Sequence, residues 1–339
     1  MLKKVCSLLA GITVLALCST AAQATTHDFY KGKTIRIIVG FAAGGGFDTY
    51  ARAISRHMGR HIPGNPTIIV ENMTGAGSLI AANHTYKVAK PDGLTMAHPI
   101  GGIFLLQVFG KPGVEFDARK FEYVGVPVKD NLSCALMRAS GITSIEKWLT
   151  AKTPVKLGGV APGSTTDDAP KILAAAIGVP IQLVSGYKGT AAIRLAAESG
   201  EVVGGCWGLE SIRATWRKGI EMGEVAVVLQ TLPAPDMPNV PLVINFAKTE
   251  EARQLVKVGI QDAGNITRPF VVTPGTPKDR VQLLRKAFMD TLKDPEFLTD
   301  AQKAKLEVDP MTGEELERTV HGLFKLDPVF LAKLKDILK

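Results

Sequence analysis

The chain has 339 residues, 46% of them apolar, with 40 lysines and arginines against 32 acids, a formal charge of +8. That excess contains no Lys/Arg run, which argues against a nucleic-acid surface with its clustered basic face. No stretch beyond the first 24 residues approaches the roughly 18 uninterrupted apolar residues of a membrane span, which excludes a membrane domain.

Residues 1–24 read as an export signal: Lys3 and Lys4 are the basic start, 5–17 the apolar core, and Ala22-Gln23-Ala24 the small-residue cleavage site. A lipid anchor on Cys18 is disfavoured, because Leu17 stands where such a site wants Gly, Ala or Ser. Cleavage would leave 339 − 24 = 315 residues, too many for one comfortable core and about right for two lobes. With the two lysines gone the charge falls to +6, a balance suited to small anionic molecules. Of the four cysteines only Cys134 and Cys206 stay, either paired in an oxidising compartment or held as buried thiols.

From residue 34 strand and helix patterns alternate with glycine or proline punctuation, the mark of an α/β fold with largely parallel sheets. The run Ile37-Ile38-Val39 breaks into Gly40-Phe41-Ala42-Ala43-Gly44-Gly45-Gly46 and opens onto a helix at Phe47-Asp48. Adjacent glycines strip the loop of Cβ atoms, so backbone N–H groups can reach a ligand, and the helix start adds roughly half a positive charge. Such a loop suits an anion, yet it lacks the endings of the nucleotide-binding loops. The helix sets Phe47, Tyr50, Ala51, Ile54 and Met58 on one face, while His57 and His61 read as solvated surface rather than metal ligands.

The device repeats three times. Strand 67–72 leads into Met73-Thr74-Gly75-Ala76-Gly77-Ser78 and a helix over 79–90. Strand 155–160 leads into Ala161-Pro162-Gly163-Ser164-Thr165-Thr166 and a helix from Asp167, with Pro170 in its first turn. Strand 181–184 leads into Ser185-Gly186-Tyr187-Lys188-Gly189-Thr190 and a helix running through Glu198. If the first two loops sit on one lobe and the last two on the other, four helix starts converge across a cleft, where open α/β sheets bind ligands. Neither early loop contains a lysine or arginine, so neutral backbone and hydroxyl donors would hold a carboxylate there.

Single residues carry paired readings. Asp48 is a partner for a ligand amine or an acid favoured by the dipole of the first helical turn, and the second is the simpler account. Asp167 and Asp168 read as helix caps. Trp207, set among Gly204, Gly205 and Gly208, is a core ring or an aromatic wall for a ligand. Lys188, the one cation in the four loops, attracts an anion or faces solvent, and Phe41 covers the ligand or packs beneath its loop.

Taken in order, the motifs are Gly40-Phe41-Ala42-Ala43-Gly44-Gly45-Gly46-Phe47-Asp48 with Ala51-Arg52, then Val70-Glu71-Asn72-Met73-Thr74-Gly75-Ala76-Gly77-Ser78 and Pro91-Asp92-Gly93. Tyr187-Lys188-Gly189, Pro274-Gly275-Thr276-Pro277 and Lys293-Asp294-Pro295-Glu296 follow. This ordered set resembles the substrate-binding proteins of tripartite tricarboxylate transporters, the Bug-type periplasmic receptors, across nearly all of the chain past the signal. The resemblance implies a two-lobed periplasmic binding protein fold, type II-like, each lobe a mostly parallel sheet flanked by helices. It places lobe 1 at 25–125 and 236–339 and lobe 2 at 126–235, with the C-terminal helices bracing lobe 1. It implies a monomer in the periplasm that delivers a small carboxylate to a membrane permease, with no catalytic residue, cofactor or metal.

Loops and resemblance together give the expected ligand-binding set: Phe41, Ala43, Gly44, Gly45 and Asp48; Gly75, Ala76, Gly77 and Ser78; Gly163, Ser164, Thr165 and Thr166; Tyr187, Lys188 and Gly189; and Trp207. The chain departs from the family pattern at Ala43, where proline is common, at Asp167, where histidine is usual, and at Trp207, where aspartate is usual. Trp207 turns the expected cargo toward an aromatic or partly apolar acid, beside di- and tricarboxylates and acidic amino acids. An exported enzyme acting on an acidic substrate is the competing class. Against it, the loops contain no nucleophile paired with a base, no histidine and no G-x-S-x-G elbow. A ligand-reporting partner of a signalling receptor would use the same binding chemistry.

Overall fold

The computed structural model describes residues 29–339, and the export-signal expectation falls outside them. The β-branched run Thr34–Val39 forms β1, which buries Ile35, Ile37 and Val39. Strands β2 (Thr67–Asn72) and β3 (Thr95–His98) pair with it in parallel on either side. After β4 (Glu122–Val126) the chain crosses to a second sheet made of β5 (Leu132–Met137), β6 (Val155–Gly158), β7 (Ile181–Val184), β8 (Gly204–Gly208) and β9 (Val225–Gln230). It returns to the first sheet as β10 (Phe270–Val272) and β11 (Met311–Thr312). The orders are β11-β4-β10-β3-β1-β2 and β7-β6-β8-β5-β9.

Both sheets are mixed rather than mostly parallel. The first strand made after each crossing, β5 or β10, runs against both its neighbours. Alternating strand and helix patterns fix the direction of βαβ units, whereas a strand reached through a long crossover carries no such constraint.

Helices α1 (Gly46–Met58), α2 (Leu79–Lys87), α3 (Ile103–Val108) and α4 (Ile145–Leu149) are followed by α5 (Thr165–Ile177), α6 (Thr190–Glu198) and α7 (Leu209–Glu221). The remainder are α8 (Glu250–Val256), α9 (Lys278–Thr291), α10 (Pro295–Lys303), α11 (Gly313–Leu323) and α12 (Pro328–Ile337). Helix α1 buries Tyr50, Ala51, Ile54 and Met58 as its spacing predicts. His57, expected in solvent, is instead buried and bonds Asp300 of α10 at 2.9 Å, because α10 packs over this end of α1. Helix α5 begins at Thr165, two residues before the expected start, which puts Pro170 in the second turn.

The first core joins β1 and α1 to a knot of Phe104, Phe116, Phe121 and Tyr123. The second gathers Leu132, Leu136, Trp148, Leu157 and Leu173, and it also takes Val243, Leu255 and Val256 together with Leu334 and Leu338. The span 236–339 is therefore divided: β10, α9, β11 and α11 build on the first sheet, while α8 and α12 pack on the second. An amphipathic pattern predicts that a helix docks on something and is silent about which face receives it.

Cys134 and Cys206 are directly opposite on β5 and β8 and form a disulfide, with Cα atoms 4.0 Å apart and 72 positions between them in sequence. By loop-closure entropy a link of that span stabilises by ~4 kcal/mol.

Candidate functional site

The four glycine-containing loops meet between the sheets. The Ala42 N–H donates to the Lys188 carbonyl at 3.0 Å, tying the first loop to the fourth. A Cβ added to Gly77 would lie 3.1 Å from Ala161 Cβ, so the second loop abuts the third. Between them lies a cavity of about 30 Å³, room for a water or two. Phe41, Gly45, Gly46, Phe47 and Ile100 line one side, and Val160, Ser164, Thr165, Thr166 and Thr190 face them. Trp207, Gly208 and Ser211 close one end, and Asp130, Thr267 and Arg268 enter from the crossings.

The first turns of α1, α5, α6 and α7 all open onto this cavity, and none of the four is capped by a side-chain hydrogen bond. Of the other helices, α4, α8, α10, α11 and α12 are capped by Ser144, Thr249, Asp294, Thr312 and Asp327, and α2, α3 and α9 also start without a side-chain cap but do not open onto this cavity. Each of the four starts on the cavity presents backbone N–H groups and roughly half a positive charge to the cleft.

A buried charge cluster stands beside them. Arg268 donates through Nε to Asp130 Oδ1 at 2.6 Å and through Nη2 to Glu210 Oε1 at 2.5 Å, and all three residues are buried. Its guanidinium lies over the rings of Phe47 and Tyr50, 4.7 and 5.1 Å from their centroids. Burial, with Glu210 adding to it, pushes the Asp130 carboxyl well above the usual range despite the pull of Arg268. Nη1 of Arg268, Oγ of Ser211, Oγ1 of Thr190 and Nε1 of Trp207 have no hydrogen-bond partner among the described residues.

Of the expected site residues, Phe41, Gly45, Ser164, Thr165, Thr166 and Trp207 line the cavity. Trp207 is buried and stacks on Trp216 at 5.7 Å; Gly205 clears space for its ring, whereas the space at Gly208 is filled by the Glu210 carboxylate. Ala43 and Gly44 are exposed and outside the lining, and Gly44 donates its N–H to Asp48 Oδ2 at 3.0 Å. Asp48 also takes hydrogen bonds from Arg52 and Asn72; burial raises its pKa, but these bonds outweigh burial and hold the carboxyl below its usual value. Its geometry is that of a loop brace.

Gly75, Ala76, Gly77 and Ser78 all have positive φ and do not line the cavity; Ser78 Oγ accepts the Ile100 N–H at 2.9 Å instead. Gly163 donates its N–H to Asp168 Oδ1 at 3.1 Å and lies behind the lining. Asp167 accepts hydrogen bonds from the hydroxyls of Ser164 in the third loop and Ser185 in the fourth, tying the two together. Burial pushes Asp168 up to about 7 against the pull of the Gly163 amide, and Asp167 adds to the rise. Tyr187 points outward to Glu201 at 2.6 Å, Lys188 is exposed, and Gly189 sits against Phe41. Sequence reasoning missed Asp130, Glu210, Ser211 and Arg268. The available signal was a lone charge flanking an apolar strand, as Arg268 does before Phe270-Val271-Val272.

The family model described as tripartite tricarboxylate transporter family receptor matches residues 51–325. The chain belongs to that receptor family. As one of its receptors, it binds a solute rather than transforming it. A UPF0065 protein of Cupriavidus necator is 26% identical over 336 residues, covering 96% of this receptor and 94% of the relative. A UPF0065 protein of Bordetella bronchiseptica is 28% identical over 161 residues, 47% of this chain and 46% of its own length, so there the match spans about half of the relative. Among solved structures, the periplasmic binding protein BugD has a TM-score of 0.73 at 22% identity, covering 91% of this receptor and 98% of BugD. The R. palustris protein Rpa4515 with adipate has a TM-score of 0.71 at 20% identity, covering 90% and 97%. These likenesses establish the two-lobed fold.

Proposed function

We propose that this receptor captures a small organic carboxylate between its lobes in the periplasm and delivers it to a membrane permease of the tripartite tricarboxylate type. One observation carries the reading: four uncapped helix starts converge on one cavity. An anion placed there meets the positive ends of four dipoles and first-turn backbone N–H groups, the Leu209 N–H of α7 excepted because it donates to the Asn131 carbonyl at 2.8 Å. The cavity of about 30 Å³ is too small for an organic acid, so the lobes part to admit it. The crossings at 127–131, at 261–265 between Ile260 of the second core and Ile266 of the first, and at 324–327 between α11 and α12 are the natural hinges, and contacts made only with the lobes together favour the bound arrangement.

Calorimetric titration of the chain from residue 25 with aliphatic and aromatic carboxylates tests this. One class of acid is expected to bind and to be recovered chemically unchanged, with native-state stability rising by about 2.7 kcal/mol at a hundredfold excess over Kd. Failure of every carboxylate to bind refutes the reading.

A further inference from the structure

We propose that the acid taken by this cleft carries a single carboxylate on an apolar body, with its head seated at a donor pole formed by Arg268, Ser211 and Thr190. This rests on the carboxylate reading above. Arg268 Nη1, Ser211 Oγ and Thr190 Oγ1 are buried without a hydrogen-bond partner among the described residues, an unusual condition for polar atoms in a folded chain. They gather at the start of α1. The point where a Cβ on Gly46 would sit is 3.2 Å from Arg268 Nη1 and 2.3 Å from Ser211 Oγ, and the same point on Gly45 is 3.1 Å from Thr190 Oγ1. A guanidinium N–H and two hydroxyls beside one helix start are donors of the kind a carboxylate accepts from.

Elsewhere in the cavity the free donors are single and uncharged, the Trp207 Nε1 and the backbone at the start of α5. Ser164 and Thr166 hydrogen-bond within their own loop, to the Ala161 carbonyl and to Asp167. Phe41, Phe47, Ile100, Val160 and Trp207 supply an apolar wall. Arg268 is the one cation in the lining, and its charge is already shared between Asp130 and Glu210. A second carboxylate would therefore be desolvated against apolar side chains, or against Asp130, with no cation to receive it. An apolar body loses nothing there and gains burial.

The test is calorimetry on matched acids: benzoate against terephthalate and hexanoate against adipate, with benzamide and hexanamide as uncharged controls. Each monoacid is expected to bind at least tenfold tighter than the diacid on its skeleton and at least tenfold tighter than its amide. A diacid binding as tightly as its monoacid, or more tightly, overturns the inference and leaves the carboxylate reading standing. An amide that equals its acid, or the absence of binding by any acid, overturns both. Ser211→Ala supplies an independent arm: monoacid affinity is expected to fall about tenfold with the melting temperature and amide binding unchanged, and unchanged acid affinity would place the head elsewhere.

Discussion

Replacing Gly46 with alanine probes the place where the lobes meet. The added Cβ would lie 2.3 Å from Ser211 Oγ and 2.6 Å from Ser211 Cβ. The hydroxyl can rotate away, but the Cβ is fixed to the backbone of α7, so the two helices must move apart. Overpacking of this kind costs about 1–3 kcal/mol. The cost arises only when α1 and α7 are in contact, since alanine at a free helix start is at least as well accommodated as glycine. The affinity of Gly46→Ala for any acid that binds the parent should therefore fall by about 5- to 150-fold, the equivalent of that energy. Calorimetry gives the affinity, and a thermal melt of the unliganded variant, expected to match the parent, guards against misfolding. Unchanged affinity would mean that the bound lobes do not meet at Gly46 and Ser211, and the reasoning would fail.

Two further substitutions test the electrostatics. Asp168 titrates at about 7 in the folded chain against 3.8 unfolded, so between those values the native state holds a proton that the unfolded chain has released. Its contribution to stability is complete below about pH 4 and is lost as pH rises to 7, by roughly 4 kcal/mol at most. Asp168→Asn keeps an acceptor for the Gly163 amide and removes the charge, so urea denaturation should find it more stable than the parent at pH 8 but not at pH 4; equal differences at both would refute the assignment. Arg268→Met leaves Asp130 and Glu210 buried without their cation, and should lower stability by about 3–5 kcal/mol. Adding Asp130→Asn and Glu210→Gln should recover most of that loss, and no recovery in the urea midpoint would show that the cluster is not the cause.

The loops were legible because strand, glycine and helix start follow one another within a dozen residues, and local chemistry dictates each step. That the first loop touches the fourth follows from helix starts pointing to one side of each sheet. Arg268 was not legible: its partners Asp130 and Glu210 lie 138 and 58 positions away, and no periodicity links them. The second loop was misread for a related reason. Its run of positive φ angles spends Ser78 on the Ile100 amide, and a serine reads the same whether its hydroxyl faces a ligand or the backbone. The same limit hid the burial of His57, which depends on α10 arriving from 243 positions downstream.

The bond between Cys134 and Cys206 lies one residue from Trp207. Neighbouring side chains on a strand face opposite ways, so Cys206 joins the Trp148 layer while Trp207 joins the Trp216 layer. Slipping β8 by one position against β5 would exchange those faces and turn the indole away from the cleft. A covalent link between directly opposed residues admits only one alignment. The disulfide thus locks, beside the backbone ladder, the register that turns the Trp207 ring toward the cavity, and reduction would leave that orientation to hydrogen bonds and packing alone.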